Sequence, residues 1–235
     1  PTADESQAIP QLDIPGYMAP ADEVGGDYYD VLQHDGHIKI GIGDVTGHGL
    51  ESGVLMLMTQ MGARTLLIQE ETDPVQFMEV LNGAIYHNVR RMGIDKSLSL
   101  ALLDYTPHPH GGGRLRASGQ HEELIVMRQG GTVERVDTID LGFPVGLEDS
   151  IADFVSAESI DLQPGDGVVL YTDGITEAEN PAGVQYGLER LCTVLGQHWH
   201  LAALAITEAV IHDLQGYIKT QTVFDDITLL VVKQK

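Results

Sequence analysis

The sequence predicts an α+β domain with layers in the order α/β/β/α. Short strand-like runs are connected mostly by hairpin turns, two adjacent helices follow the first strands, and two more helices precede the last strand. Strands that pair through hairpins form antiparallel sheets, and paired helices bury their apolar faces against such sheets. These observations favour helical layers that cover a sheet core.

The first half of the chain contains strand patterns at residues 17–19, 26–32 and 37–45. The dipeptide Asp35-Gly36 between the last two patterns is typical of a tight hairpin turn. A first helix is predicted over residues 50–70, where apolar residues recur at spacings of three and four. A second helix is predicted over residues 73–91, because Asp73 can cap its start and Pro74 suits its first turn.

The second half begins with a predicted antiparallel meander and continues with a strand, two helices and a closing strand. The closing strand is apolar on both faces, which is typical of a central strand. Residues 1–14 are expected to be a linker remnant and residues 15–235 the folded domain. The predicted ranges are 97–105, 113–118, 122–128 and 132–136 for the meander, 168–172 for the strand, 185–195 and 201–217 for the helices, and 227–232 for the closing strand.

The bulk composition restricts the partners of this protein. The chain has 235 residues and a formal net charge of -22. This charge argues against a nucleic-acid surface, which needs clustered Lys and Arg, and against docking on an anionic membrane. The lone cysteine, Cys192, allows no intrachain disulfide, and no apolar run is long enough to span a membrane. A cytoplasmic location without membrane insertion is therefore expected.

Four aspartates stand at the ends of predicted strands: Asp27, Asp44, Asp173 and Asp225. Asp44 continues the apolar row of Ile38, Ile40 and Ile42. Asp173 and Asp225 are likewise in phase with apolar rows of their own strands. Each aspartate alone reads as a turn former or a cap. Taken together they predict a metal site, because clustered carboxylates repel one another unless hard divalent cations lie between them.

Two other metal-site patterns are weaker. The loop that contains Asp27, Asp30 and Asp35 lacks the ligand spacing of a calcium-binding EF-hand. His108 and His110 lie among prolines and glycines, in a pattern that is typical of a solvated loop tip. Cys192 lies in a helical pattern and is interpreted as a buried structural thiol.

Four motifs occur in order and carry a specific resemblance. They are GGDYYD at 25–30, GDVTGHG at 43–49, YTDGITEA at 171–178 and DDITLLVV at 225–232. With these motifs, residues 15–235 resemble the SpoIIE/RsbU-like branch of the metal-dependent (PPM, type 2C) serine/threonine protein phosphatases. The resemblance implies a sandwich of two antiparallel sheets flanked by helix pairs, with a centre of two or more Mn²⁺ or Mg²⁺ ions at one end.

The resemblance also implies roles for individual residues. Asp27, Asp44, Asp173 and Asp225 would be metal ligands, together with the backbone carbonyl of Val45. The metals would activate a water that attacks phosphoserine or phosphothreonine without a protein nucleophile. The implied substrate is a phosphorylated bacterial regulatory protein such as an anti-sigma-factor antagonist, and the implied control comes from an upstream sensor or receiver domain.

The sequence departs from the eukaryotic relatives in two respects. Thr46 stands where those relatives carry a histidine that is thought to protonate the leaving group, and His48 follows two residues later. His48 is an alternative acid, although packing in the turn is the favoured interpretation. No arginine precedes Asp27 to bind the substrate phosphate, and His121 is expected to be structural.

Two other functions remain open at this point. One is a catalytically silent interaction domain that keeps only the fold, which the intact set of aspartates argues against. The other is a receiver domain with Asp44 as phosphoacceptor, which would require a parallel sheet in about half this length.

Overall fold

The computed structural model describes residues 9–21, 24–221 and 223–235, which form two stacked antiparallel sheets. In the first sheet the strand order is β1-β11-β10-β7-β8, and β2 also pairs with β11. Its strands are β1 (Leu12–Asp13), β2 (Gly16–Ala19), β7 (Leu124–Met127), β8 (Val133–Val136), β10 (Gly167–Tyr171) and β11 (Ile227–Gln234).

The second sheet has the strand order β3-β4-β5-β6-β9. Its strands are β3 (Asp27–His34), β4 (His37–Val45), β5 (Leu98–Pro107), β6 (Gly113–Ser118) and β9 (Ala157–Leu162). The β3-β4 hairpin closes through a two-residue turn, since His34 pairs with His37. Asp35 and Gly36 both adopt positive φ in this turn, as the Asp-Gly dipeptide predicts.

Two helix pairs cover the outer faces of the sheets. Helices α1 (Leu50–Ile68) and α2 (Pro74–Met92) lie on the second sheet, and helices α4 (Leu188–His198) and α5 (Ala203–Ile218) lie on the first. A single-turn helix α3 (Asp173–Thr176) follows β10, and a 3-10 turn spans Ala152–Phe154. The predicted four-layer α/β/β/α sandwich of two antiparallel sheets is confirmed.

Three apolar clusters hold these layers together. The largest lies between the sheets and contains Ile40, Ile42 and Leu103 of one sheet and Leu170 and Leu230 of the other. The other two clusters lie between each sheet and its helix pair. β11 is buried along both faces and pairs on both edges, which confirms the prediction of a central closing strand.

The helix starts follow local chemistry. The side chain of Asp73 accepts a hydrogen bond from the backbone N–H of Gln76 at 2.9 Å, and Pro74 occupies the first turn of α2. This cap satisfies one of the backbone donors that a helix start leaves unpaired. The four long helices begin and end within a few residues of the predicted bounds.

The predicted meander is wrong in one respect, because its four strands belong to two different sheets. β5 pairs with β6 in the second sheet, whereas β7 pairs with β8 in the first. The edge of β6 pairs instead with β9, a strand that the sequence analysis did not predict. The chain therefore crosses between the sheets after Ser118, near the turn that contains His121.

The proposed linker at residues 1–14 includes residues that belong to the folded domain. Residues 1–8 lie outside the described part of the chain. Ile9, Leu12 and Ile14 are buried in the cluster between the sheets, and Leu12 pairs with Gln234 on β11. The domain therefore includes residues 9–14, because their apolar side chains cover the end of the sheet core.

No helix among the described residues is long and apolar enough to cross a membrane.

Candidate metal centre

Asp27 and Asp44 occupy directly opposed positions on β3 and β4. Asp44 continues the row of Ile38, Ile40 and Ile42, which packs between the sheets. Asp27 is in phase with Val31, which lies in the same cluster. The two carboxyl groups therefore share the face of the second sheet that meets the first sheet.

Two threonines of the first sheet fix Asp27. The hydroxyl of Thr172 donates to Asp27 Oδ2 at 2.8 Å, and the hydroxyl of Thr228 donates to the same oxygen at 2.5 Å. Both threonines are fully buried. These bonds join the ends of the two sheets at the carboxylate that the sequence assigns to the metal site.

Sequence reasoning missed these threonines, although a signal was present. Thr172 continues the row of Val168 and Leu170, and Thr228 begins the row of Leu230 and Val232. Both rows face the cluster between the sheets, so strand alternation places both hydroxyls beside Asp27.

Asp173 lies at the end of the first sheet, at the first position of α3. Its Oδ1 atom is buried and has no hydrogen-bond partner among the described residues. A buried carboxylate oxygen without a donor is costly unless a cation completes its surroundings. This atom is therefore suited to metal coordination.

Asp225 and Asp226 have different surroundings. Asp226 is buried, and its carboxylate accepts hydrogen bonds from the backbone N–H groups of Ala21 at 2.7 Å and Gly26 at 2.6 Å. Asp225 is exposed and lines a cavity of about 210 Å³ together with Gly174 and Glu177. Among the described residues, Asp225 accepts one backbone N–H, that of Asp226 at 2.8 Å, whereas Asp226 accepts three from the segment at Ala21 to Asp27. The preference for Asp225 over Asp226 as a ligand stays a prediction.

The aspartates influence one another electrostatically. Burial raises the pKa of Asp27 to about 8; the hydrogen bonds from Thr228 and Thr172 oppose this rise, and the charge of Asp44 adds to it. Burial also raises the pKa of Asp44 to about 7, with further increases from the charges of Asp173 and Asp225. Burial and then the charge of Asp225 raise the pKa of Asp173. All four predicted carboxylate ligands thus belong to one electrostatically interacting set.

Oxygen atoms approach Gly26 closely beside this set. A Cβ atom on Gly26 would lie 2.8 Å from the carbonyl oxygen of Val45 and 3.3 Å from Asp44 Oδ1. The glycine thus lets its backbone lie against the predicted carbonyl and carboxylate ligands. An all-oxygen donor set of this kind suits Mg²⁺ or Mn²⁺.

The carboxylates do not form a closed cage. Within residues 9–21, 24–221 and 223–235, no three His, Cys, Asp or Glu side chains are grouped closely enough to hold a metal ion in their present orientations. The assignment of Asp27, Asp44, Val45, Asp173 and Asp225 as ligands therefore remains a prediction, which the buried Asp173 oxygen and the close approach of the Val45 carbonyl and Asp44 carboxylate oxygens at Gly26 support.

The loop after Asp44 determines what Thr46 can do. The N–H of Thr46 donates to the carbonyl of Ser97 at 3.0 Å, and its hydroxyl accepts from the N–H of Ser97 at 3.1 Å. Its carbonyl accepts a hydrogen bond from the ammonium group of Lys96 at 2.6 Å. Thr46 is therefore a structural residue of the loop, while His48 lies exposed beyond it.

His121 connects the two sheets beside the site. One ring nitrogen, Nε2, lies 3.1 Å from the carbonyl of Tyr171, which can only accept, so Nε2 carries the proton of the neutral ring. Nδ1 then accepts from the hydroxyl of Ser99 at 2.8 Å, and Ser99 stands opposite Asp44 on β5. This geometry agrees with the structural role expected of His121.

The comparison with protein families decides the identification. Residues 34–235 match the family described as Stage II sporulation protein E (SpoIIE). This chain belongs to the SpoIIE family. The match spans three of the four aspartate motifs and most of both sheets, and it confirms the predicted resemblance.

Two curated relatives are similar to this SpoIIE-family chain over nearly its whole length. Phosphoserine phosphatase RsbU of Bacillus subtilis is 28% identical over 234 residues, which cover 97% of the chain and 65% of RsbU. Protein IcfG of Synechocystis sp. is 26% identical over an alignment that covers 95% of the chain and 38% of IcfG. The chain thus spans about two fifths to just under two thirds of these relatives.

Solved structures share the fold of this SpoIIE-family chain. The SiaA-PP2C domain of Pseudomonas aeruginosa matches with a TM-score of 0.78 and 20% sequence identity. The match covers 94% of this chain and 86% of the SiaA domain. The catalytic domain of the serine threonine protein phosphatase PstP, solved in complex with two manganese ions, matches with a TM-score of 0.64 and 14% sequence identity. The match covers 95% of this chain and 98% of the PstP domain. The fold is that of PP2C phosphatase domains.

Proposed function

We propose that this domain is a metal-dependent protein phosphatase that hydrolyses phosphoserine or phosphothreonine. The observation that carries the proposal is the pairing of Asp27 with Asp44 across β3 and β4, where the charges of Asp173 and Asp225 act on Asp44 and the buried Oδ1 atom of Asp173 has no hydrogen-bond partner among the described residues. Membership in the SpoIIE family and the phosphatase fold support the same activity.

Asp27, Asp44, Asp173, Asp225 and the carbonyl of Val45 would hold two or more Mn²⁺ or Mg²⁺ ions. When bound, these ions would activate water and neutralise the charge of the phosphate. The protein holds the predicted ligands in place. Thr172 and Thr228 orient the Asp27 carboxylate, and Asp226 fixes the backbone at the start of β3. These bonds preorganise the ligands before substrate arrives.

The site reaches solvent at Asp225, and the surroundings there are acidic. Asp225 is exposed and lines a cavity of about 210 Å³ with Glu177 and Glu179, whereas Asp27, Asp44 and Asp173 do not line it. A dianionic phosphate would meet strong repulsion from these carboxylates without cations. Metal dependence therefore follows from the charge of the site itself.

The finer parts of the proposal concern partners and location. RsbU is named a phosphoserine phosphatase, and by analogy the substrate of this domain would be a phosphorylated bacterial regulatory protein such as an anti-sigma-factor antagonist. An upstream sensor or receiver domain would control it in the cytoplasm. Nucleic acid is not expected as a partner, given the net charge of -22.

The decisive experiment compares Asp44→Asn with wild type in Mn²⁺-dependent hydrolysis of p-nitrophenyl phosphate. We expect the variant to lose turnover while its circular dichroism and cooperative unfolding are retained. Asp153→Asn, an exposed aspartate in the 3-10 turn, serves as the control and should keep full activity. Retained turnover in Asp44→Asn would refute the assignment.

A silent interaction domain is the remaining alternative, and calorimetric titration with Mn²⁺ distinguishes it. Absence of binding at millimolar Mn²⁺ would favour the silent domain. The receiver alternative is wrong, because the strand pairs among the described residues are antiparallel and the fold is that of PP2C domains.

A further inference from the structure

We propose that Lys96 is a positioning residue that holds the loop after Asp44 and thereby sets the metal affinity of the site. This inference rests on the proposed function, since it concerns the same metal centre. It assigns a role to a lysine that no motif of the sequence singles out.

The ammonium group of Lys96 makes two contacts with this loop. It donates to the carbonyl of Thr46 at 2.6 Å and to the hydroxyl of Ser52 at 3.0 Å. The hydroxyl of Ser52 in turn donates to the carbonyl of Gly47 at 2.7 Å. One cation thus fixes two consecutive carbonyl groups, directly at Thr46 and through Ser52 at Gly47.

The position of these carbonyls matters for the predicted ligands. The peptide unit that carries the Val45 carbonyl is followed at once by the one that carries the Thr46 carbonyl. Rotation of either unit would change the direction of the other, because the planar peptide leaves only two soft angles for each residue. The Val45 and Gly47 carbonyls both lie close to Gly26, at 2.8 Å and 3.0 Å from the position that a Cβ atom on this residue would take.

Lys96 comes from a different part of the chain, the connection between α2 and β5. Its neighbour Ser97 accepts from the N–H of Thr46 at 3.0 Å, so side chain and backbone hold the same loop. Lys96 is half-buried, and its positive charge also acts on the Asp44 carboxyl group. The contact therefore combines geometric and electrostatic support, as residues behind metal ligands do in other proteins.

A lysine bonded only to backbone and hydroxyl acceptors is often merely structural. Two features favour a functional role here. The loop that it holds lies between a predicted carboxylate ligand and the start of α1, and the cation has one further donor beyond the two contacts described. Loss of the ammonium group would leave the Thr46 carbonyl without this donor and would free the loop to relax.

The test uses the whole domain and measures Mn²⁺ binding by calorimetry alongside activity and unfolding. Lys96→Met should raise the Kd for Mn²⁺ at least about tenfold, the effect typical of residues behind metal ligands. Lys96→Arg keeps the charge and donors and should recover most of the affinity. Lys219→Met, the same change at an exposed lysine, should bind Mn²⁺ like wild type.

Three results separate the possibilities. Unfolding of Lys96→Met in EDTA that matches wild type, together with weaker Mn²⁺ binding, supports the positioning role. An unchanged Kd for Mn²⁺ overturns it, and an unchanged Kd with a raised KM for p-nitrophenyl phosphate would assign Lys96 to the phosphate instead. A wild-type domain that does not bind Mn²⁺ would overturn the proposed function itself.

Discussion

The Asp226 carboxylate accepts a hydrogen bond from the backbone N–H of Gly26 at 2.6 Å and so fixes the start of the strand that carries Asp27. The adjacent Asp225 is exposed and faces the cavity beside the site. The two consecutive aspartates thus have different surroundings. Asp226 positions the backbone of the opposite sheet, and Asp225 is predicted to bind a metal.

This difference predicts that Asp226→Asn mainly lowers stability, whereas Asp225→Asn mainly weakens Mn²⁺ binding. Asp226→Asn removes a charged acceptor from the buried N–H groups of Gly26 and Asp27 and should lower the free energy of unfolding by about 1–3 kcal/mol. Asp225→Asn should change it by less than about 0.5 kcal/mol but weaken Mn²⁺ binding at least about tenfold. Chemical denaturation in EDTA and calorimetry measure the two effects. The reverse pattern would assign Asp226, not Asp225, to the metal.

Gly26 offers a test of the space between the predicted ligands. In Gly26→Ala the new methyl group would lie 2.8 Å from the Val45 carbonyl, closer than carbon and oxygen tolerate, so we expect weaker Mn²⁺ binding and slower turnover. Gly83→Ala in α2 is the control, because no heavy atom lies within 4 Å of its added Cβ. The control should gain about 0.5–1 kcal/mol of stability, as helix glycines do, and keep activity. Full Mn²⁺ affinity in Gly26→Ala would show that this space is not used.

The sequence was sufficient for the layers because the relevant signals are local. The helix over 50–70 and the cap at Asp73 depend on spacing and on chemistry within one turn, and the structure confirms both. The Asp35-Gly36 turn likewise fixes the register of its own hairpin. By contrast, the pairing of β6 with β9 joins strands about forty residues apart, and no local pattern specifies that partner.

In the candidate site, too, local sequence pattern predicts some features, and others depend on tertiary packing. Strand alternation placed Asp44 on the face between the sheets. It placed Asp225 in phase with Ile227, Leu229 and Val231, which pack against the helices of the first sheet instead, so the choice of Asp225 over Asp226 stays a prediction. It did not reveal that Asp173 begins a helix instead of extending β10. Strand alternation puts Thr172 and Thr228 on the face between the sheets, but their bonds to Asp27, like the contacts of Lys96, depend on the packing of distant segments.

Thr228 provides a test of how the fold adjusts Asp27. Its hydrogen bond lowers the pKa of Asp27 against the effect of burial, so Thr228→Val should raise that pKa further above about 8. At pH 7 a metal must then displace a more tightly held proton. We expect weaker Mn²⁺ binding at pH 7 and a smaller deficit at pH 9.

The matched control for this change is Thr207→Val. Thr207 is also buried, and its hydroxyl donates to the carbonyl of Ala203 inside α5, on the outer side of the first sheet. Calorimetry at both pH values should show wild-type Mn²⁺ affinity for this variant. A deficit in Thr228→Val that is equal at pH 7 and pH 9 would mean that the hydroxyl acts through packing and not through the ionisation of Asp27.

The lowered pKa of His121 leads us to expect that the stability of the domain depends on pH. Burial lowers the pKa of His121 to about 4 from an ordinary value of 6.5. The unfolded chain therefore binds a proton between these two values while the folded domain does not, so the contribution of His121 is complete above pH 6.5 and is lost as pH falls toward 4. A shift of this size corresponds to roughly 3 kcal/mol.

The measurement compares the free energy of unfolding of wild type and His121→Gln in EDTA between pH 4 and pH 8. Asp27 and Asp44 titrate in both proteins and have the opposite sign: their raised pKa values favour the folded state at low pH, and this stabilisation is lost as pH rises through about 7 to 8. Subtracting one curve from the other largely removes this shared contribution. The advantage of wild type should shrink steadily from pH 6.5 to pH 4, since only wild type must protonate a half-buried imidazole that donates to Tyr171 and accepts from Ser99. Parallel curves over this range would mean that the ring at position 121 is not held neutral by the fold.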